Sequence, residues 1–202
     1  MQIEFLVEEP SARAALEVLL PRLLPGQTCR IRDFDGWQDL LGSLPALLRG
    51  YHKRIAQHGQ ADLRVVVLLD GDGIGPRRKA DLEAHAARAG LLTKSTAGPG
   101  QVFQVLNRVA VQELEAWWLG DRAAIMAAYP GVRPHHFKGT PPNPDQPPKP
   151  NDVLWTVLKQ GRHFLAGKRK TQWATDISQH LDPARNTSAS FRCFCQGLAA
   201  LR

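Results

Sequence analysis

Asp70 and Asp72 stand directly after the apolar run Val65-Val66-Val67-Leu68-Leu69, a placement that invites metal chemistry. A run this apolar and β-branched predicts a strand covered on both faces, as in parallel sheets. Gly71, Gly73 and Gly75 then turn the chain at the strand's carboxyl end, the rim where open α/β sheets hold their ligands. Two carboxylates so close together repel unless a positive charge lies between them. A divalent ion, Mg²⁺ or Mn²⁺, is the simplest occupant, because hard cations prefer carboxylate oxygens and retained waters.

A second strand is predicted over Ile3-Glu4-Phe5-Leu6-Val7, ending at Glu8-Glu9-Pro10-Ser11. Ser11 is placed to cap the helix that follows, whose Ala14, Ala15, Val18 and Leu19 share one face. Acids at a helix start also gain from its dipole, which is the plainer account of Glu8 and Glu9. If the two strands lie side by side, Glu8 converges on Asp70 and Asp72, and such a cluster needs a cation. A further strand over Val105–Val111 leads into Gln112–Leu119, a helical stretch with an apolar face. Glu113 and Glu115 would lie about 200° apart on that helix, so only one can face a site. Glu115, in the more apolar surroundings beside Trp117 and Trp118, is the better candidate; a solvated glutamate at a helix start is the alternative.

Val7-Glu8-Glu9-Pro10-Ser11, Leu69-Asp70-Gly71-Asp72 and Glu113-Leu114-Glu115-Ala116-Trp117 together resemble a bacterial family of domains of unknown function in the Toprim superfamily. The tail from Leu181 to Phe191, which includes Asp182-Pro183-Ala184-Arg185-Asn186, resembles that family's C-terminal signature. The resemblance spans nearly the whole chain, and the order and spacing of the motifs carry it. It implies a Toprim-like, Rossmann-like fold and an Mg²⁺ site in which Glu8 matches the glutamate after the first strand. Asp70 and Asp72 would match the paired aspartates. Glu115 would match a glutamate that precedes a tryptophan in relatives coupled to ATPases in phage defence. Relatives often carry further acids after the pair, where this chain has Gly73-Ile74-Gly75, which argues against a second ion.

The net charge of +7 and pI near 9.7 favour polyanionic partners, nucleic acid first among them. Arg77, Arg78 and Lys79 lie just beyond the acidic loop, and Lys168-Arg169-Lys170 forms a second basic run. Basic groups flanking a metal cluster are what a phosphodiester needs. Lys170 is also a candidate catalytic or phosphate-binding cation. Near the C-terminus, Ser188 or Thr187 is placed to cap a helix starting near Phe191, and Ser188 and Ser190 with Arg185 could instead receive phosphate. Cys29, Cys193 and Cys195 are too few for a disulfide framework and lack zinc spacing, and adjacent His135 and His136 are poor joint ligands. Neither a basic, apolar leader nor a span of ~20 apolar residues is present, so a cytoplasmic protein is expected, with no membrane partner.

Strand and helix alternate as far as Tyr129, with a strand at Thr28–Asp33 and a helix from Trp37 to about His58 that Pro45 would kink or split. Leu40, Leu41, Leu44, Leu47 and Leu48 would line its inner side, and Arg77–Ala89 would form the helix after the acidic loop. Residues 101–111 would supply the fourth strand. The expected architecture is an α/β domain over residues 1–129 with a mostly parallel sheet of about four strands flanked by helices. A proline-rich loop over 130–150, connector or substrate flap, would join it to a helical C-terminal extension over 151–202 packed on the same domain. Gly71-Asp72-Gly73-Ile74-Gly75 has neither dinucleotide-fold spacing nor a P-loop, so any ATPase must be a partner protein. The expectation is an Mg²⁺-dependent phosphodiesterase, a nuclease acting on DNA or RNA. A non-catalytic subunit docking on an ATPase, or more remotely a nucleotide-sugar transferase using its Asp-x-Asp, are the alternatives.

Overall fold

A computed structural model describes residues 1–201. Among them the sheet has four parallel strands in the order β2-β1-β3-β4: β1 Gln2–Val7, β2 Thr28–Asp33, β3 Leu63–Asp70 and β4 Val105–Ala110. The connecting helices are α1 Pro10–Leu23, α2 Trp37–Gln57 and α3 Gly75–Arg88. After β4 come α4 Glu115–Leu119, α5 Arg122–Ala128, α6 Pro150–Gln160, α7 Lys170–Ser178 and α8 Ala189–Ala199. This is the α/β, Rossmann-like architecture expected. No helix among the described residues is long and apolar enough to cross a membrane.

Alternation along the strands builds two cores. Ile3, Phe5, Val7, Val66, Leu68 and Leu106 face α1 and the C-terminal helices. Leu6, Val65, Val67, Leu69 and Val105 face α2 and α3. The strand order places a switch point between β1 and β3. The chain leaves β1 toward β2 on one side and leaves β3 toward β4 on the other, which opens a crevice at their carboxyl ends. Glu8 follows one of these strands and Asp70 ends the other.

Several local expectations need correction. Ser11 is not the cap of α1: Pro10 takes the first helical position, which moves the cap back to Glu9, extended at φ −147°, and Ser11 Oγ donates to the Glu9 carboxylate. Helix α2 runs unbroken through Pro45, because Leu40, Leu44 and Leu48 bury one stripe on the sheet across the missing hydrogen bond. The helix expected from Gln112 starts only at Glu115, since Gln112 adopts φ +62° and turns the chain. The fourth strand is likewise shorter, Val105–Ala110, and the 130–150 segment holds a 3₁₀ turn at Pro134–Phe137.

The loop after β3 is stitched to the end of β4. The Gly71 amide lies 2.8 Å from the Ala110 carbonyl and 2.9 Å from that of Gln112, which also accepts from the Asp72 amide at 2.9 Å. A β-carbon at Gly71 would sit 2.9 Å from the Ala110 carbonyl oxygen, closer than carbon and oxygen tolerate. Gly71→Ala is therefore expected to cost about 1–3 kcal/mol in urea unfolding, as overpacking against backbone does. On the other face, Trp117 and Trp118 pin α4. Their indole nitrogens donate to Ser190 Oγ on α8 at 3.0 Å and to Ser178 Oγ on α7 at 3.1 Å.

Candidate functional site at the switch point

The two acidic strand ends meet. Glu8 Oε2 accepts from the Asp70 amide at 3.0 Å, so the N-terminal glutamate turns toward the aspartate pair. Asp72 adopts φ +43° in the glycine loop, and its carboxylate lies 3.0 Å from Arg78 Nη2. The same guanidinium stands 3.7 Å from Glu8, donates to the Asp70 carbonyl and stacks 5.1 Å over the Trp37 ring. Arg78 is buried, and its Nε has no partner. Glu8 and Asp72 thus share one cation supplied by the first turn of α3.

A second group lies on the α1 face, which the alternation of β3 gives to Asp70 after Val66 and Leu68. Glu115, at the start of α4, is 0 % exposed, and neither of its carboxylate oxygens has a hydrogen-bond partner. Lys170 Nζ, at the start of α7, lies 3.2 Å from Glu115 Oε1 and 2.7 Å from Glu9 Oε1. Burial pushes the Glu115 carboxyl up to about 7, although Lys170 pulls it down. Burial and then the charges of Glu115, Glu8 and Glu9 raise Asp70 well above the usual carboxylate range. Burial raises Glu8 too, against the Asp70 amide and Arg78. Burial opposes the Lys170 ammonium, but Glu115 and Glu9 outweigh it and raise its pKa.

These shifts have a consequence for stability. A carboxyl at about 7 in the folded chain, against an ordinary 4.5, holds its proton more tightly folded than unfolded. Stability is then lost as pH rises from the lower value through the higher. Glu115→Gln removes the loss: its unfolding free energy relative to the parent should rise by about 2–3 kcal/mol between pH 5 and pH 8. Urea unfolding at the two pH values measures it, and a pH-independent difference would contradict the burial argument.

The structure distributes the remaining basic candidates unevenly. Arg77 is exposed, with no partner among the described residues. Lys79 Nζ is held by Glu83, by Ser95 Oγ at 3.1 Å and by the Asn107 carbonyl at 3.0 Å. Lys168 is bound to Asn151 and Asp152. Arg185 lies 2.7 Å from buried Asp121. Ser188 caps α8, but it and Ser190 donate to Asp145 at 2.8 and 3.0 Å, and the Ala189 amide donates to it at 2.7 Å. A carboxylate from the proline-rich loop therefore already fills the anion position at that helix start. Glu113, outside the helix, is bound by Asn151 at 2.9 Å, so Glu115 alone joins the rim. Sequence reasoning overlooked Glu9 as a partner of Lys170, Arg78 as a buried clasp and Asp145 as an anchor.

A family profile described as "Domain of unknown function (DUF4276)" matches residues 7–199. The chain belongs to this family. No curated protein and no solved structure matches it. In this DUF4276 chain the rim offers carboxylate oxygens, the hard donors a divalent cation accepts, and neither oxygen of Glu115 has a hydrogen-bond partner. Among the described residues no three His, Cys, Asp or Glu side chains are grouped so as to hold a metal ion. Lys170 and Arg78 supply the positive charge. The donors thus fit a divalent ion in chemistry, while Lys170 stands on Glu115 at 3.2 Å.

Proposed function

We propose that this DUF4276 chain is a metal-dependent phosphodiesterase of Toprim type, a nuclease acting on DNA or RNA. The observation that carries the reading is Glu115, buried with both oxygens orphaned beside Asp70 at the switch-point rim, with Glu8 turned to the same spot. Glu8, Asp70 and Asp72 would hold Mg²⁺ or Mn²⁺, with Glu115 as a further ligand or as general base. A bound divalent ion would supply polarisation of the scissile phosphate and offset charge on the leaving oxygen. Glu115, at about 7, is matched to take a proton from an attacking water near neutral pH. Arg78 keeps Glu8 and Asp72 together, and Lys170 is placed to exchange its carboxylate partners for a phosphate oxygen. Arg77, exposed and unpartnered, would meet the backbone of the nucleic acid. The family resemblance would make the chain the effector of an ATPase-coupled anti-phage system.

Purified protein incubated with DNA, and separately with RNA including transfer RNA, should cleave one of them in Mg²⁺ or Mn²⁺ and neither in chelator. A specific observation favours a second reading, a non-catalytic subunit that docks on an ATPase: the rim acids are already neutralised by Lys170 and Arg78, without a cage. Calorimetry separates the two. Mn²⁺ uptake that Asp72→Asn weakens supports the enzyme, and absence of uptake supports the docking subunit.

A further inference from the structure

Beyond Asn107 the outer edge of β4 opens into a cavity beside the acidic rim. In a parallel strand, alternate residues turn both N–H and C=O to the same side. Ala110 faces β3, since its carbonyl accepts from Gly71 at 2.8 Å. Val105 faces outward, where it bonds with Leu92 and Lys94 at 3.0 and 2.9 Å. Val109 shares the parity of Val105, yet among the described residues neither its N–H nor its C=O has a partner. Between them, the Asn107 carbonyl is taken by Lys79 Nζ at 3.0 Å and Arg108 Nη1 at 2.9 Å.

The cavity measures about 470 Å³, and Gly73, Pro76, Val109, Val111, Gln112 and Cys193 line it, with Lys79 and Arg108 also in its wall. Its volume falls within the roughly 300–1,000 Å³ of small-molecule sites. Asn107 also lines it, and the buried Oδ1 of that residue is without a partner. Gly73 belongs to the same loop as Asp72, so the cavity adjoins the rim.

We infer that this cavity is a nucleobase subsite. A base is flat and apolar on its faces, which suits walls of Pro76, Val109 and Val111, and it carries a donor beside an acceptor on its edge, which suits the open amide and carbonyl of Val109. The positive charges of Lys79 and Arg108 in its wall favour the attached phosphate. Strand addition by a peptide suits the edge less well. It needs a run of open amides, whereas the Val105 pair and the Asn107 carbonyl are already engaged. The inference rests on the phosphodiesterase reading for its substrate class, and it names where the base next to the scissile phosphate would lodge.

Cys193 gives a readout that needs neither metal nor catalysis, because it is exposed and lines the cavity. The full chain in chelator is treated with N-ethylmaleimide, and modification of each cysteine is followed by mass spectrometry, with Cys29 as the internal reference. Millimolar adenosine or cytidine monophosphate should slow modification of Cys193 at least about 5-fold, which needs a Kd below the millimolar range, and leave Cys29 unchanged. Ribose 5-phosphate should not protect. Gly75→Leu should abolish protection, since its β-carbon meets only Val109 Cγ1 at 3.5 Å and the longer side chain fills the space. No protection by either nucleotide, equal protection by ribose 5-phosphate, or protection by a β-forming peptide alone would each overturn the subsite. Metal-dependent cleavage without protection would refute this inference only, and protection without cleavage would refute only the nuclease.

Discussion

Asp70→Ala is expected to remove metal-dependent cleavage, by more than about 100-fold, while leaving the chain folded. The backbone of Asp70 does the structural work at this point: its amide donates to Glu8, and its carbonyl accepts from Arg78. Alanine keeps both contacts and deletes only a carboxylate that burial and the neighbouring acids raise well above its usual range. The variant should therefore be as stable as the parent or more so at pH 8, which is the pattern of a group retained for function against stability. Cleavage assays with thermal unfolding on the same preparation check this. A variant that cleaves as well as the parent would end the assignment of Asp70.

Lys170→Met is expected to have the largest effect on stability. It strips the only cation recorded beside Glu115 and Glu9 among the described residues, across 161 residues of sequence in the case of Glu9. Removing one partner of a largely buried pair costs about 3 kcal/mol or more, because the other charge is left uncompensated. The sign with pH follows. Without Lys170, Glu115 and Asp70 rise further, the folded chain binds more protons than the unfolded one, and stability falls as pH climbs above the ordinary carboxylate range. The deficit should be large at pH 8 and small at pH 5. If the rim takes a divalent ion, Mn²⁺ should restore part of the loss at pH 8, about 2.7 kcal/mol at 100 times its Kd. Thermal melts at both pH values, with and without Mn²⁺, read each part. A deficit unaltered by either pH or Mn²⁺ would contradict the electrostatic account.

What was legible in the sequence is what short-range pattern records. The Val65–Leu69 run announces a strand buried on both faces, and parity along it is enough to give Asp70 to the α1 side. The meeting of Glu8 with Asp70 follows once β1 and β3 are neighbours, which the parallel pairing of Val7 with Leu68 provides. Preference for Glu115 over Glu113 follows from the apolar residues beside it in sequence, and Glu115 is buried in α4 together with Trp117 and Trp118. Other features depend on distance in space alone. Arg78 sits within a basic run that reads as a phosphate-binding flank, yet the first turn of α3 folds it under the rim against Trp37. Asp145 lies in a proline-rich segment with no periodicity, and only the docking of that loop on α8 shows why Ser188 and Ser190 are not free.

Diffraction from a crystal soaked in Mn²⁺, recorded at an anomalous wavelength, tests the central claim most directly. The account predicts one peak at the switch-point rim, coordinated by Asp70 together with Glu8 or Glu115, and displacement of Lys170 from Glu115. A rim without a peak in fully soaked crystals, with Lys170 still on Glu115, would contradict it.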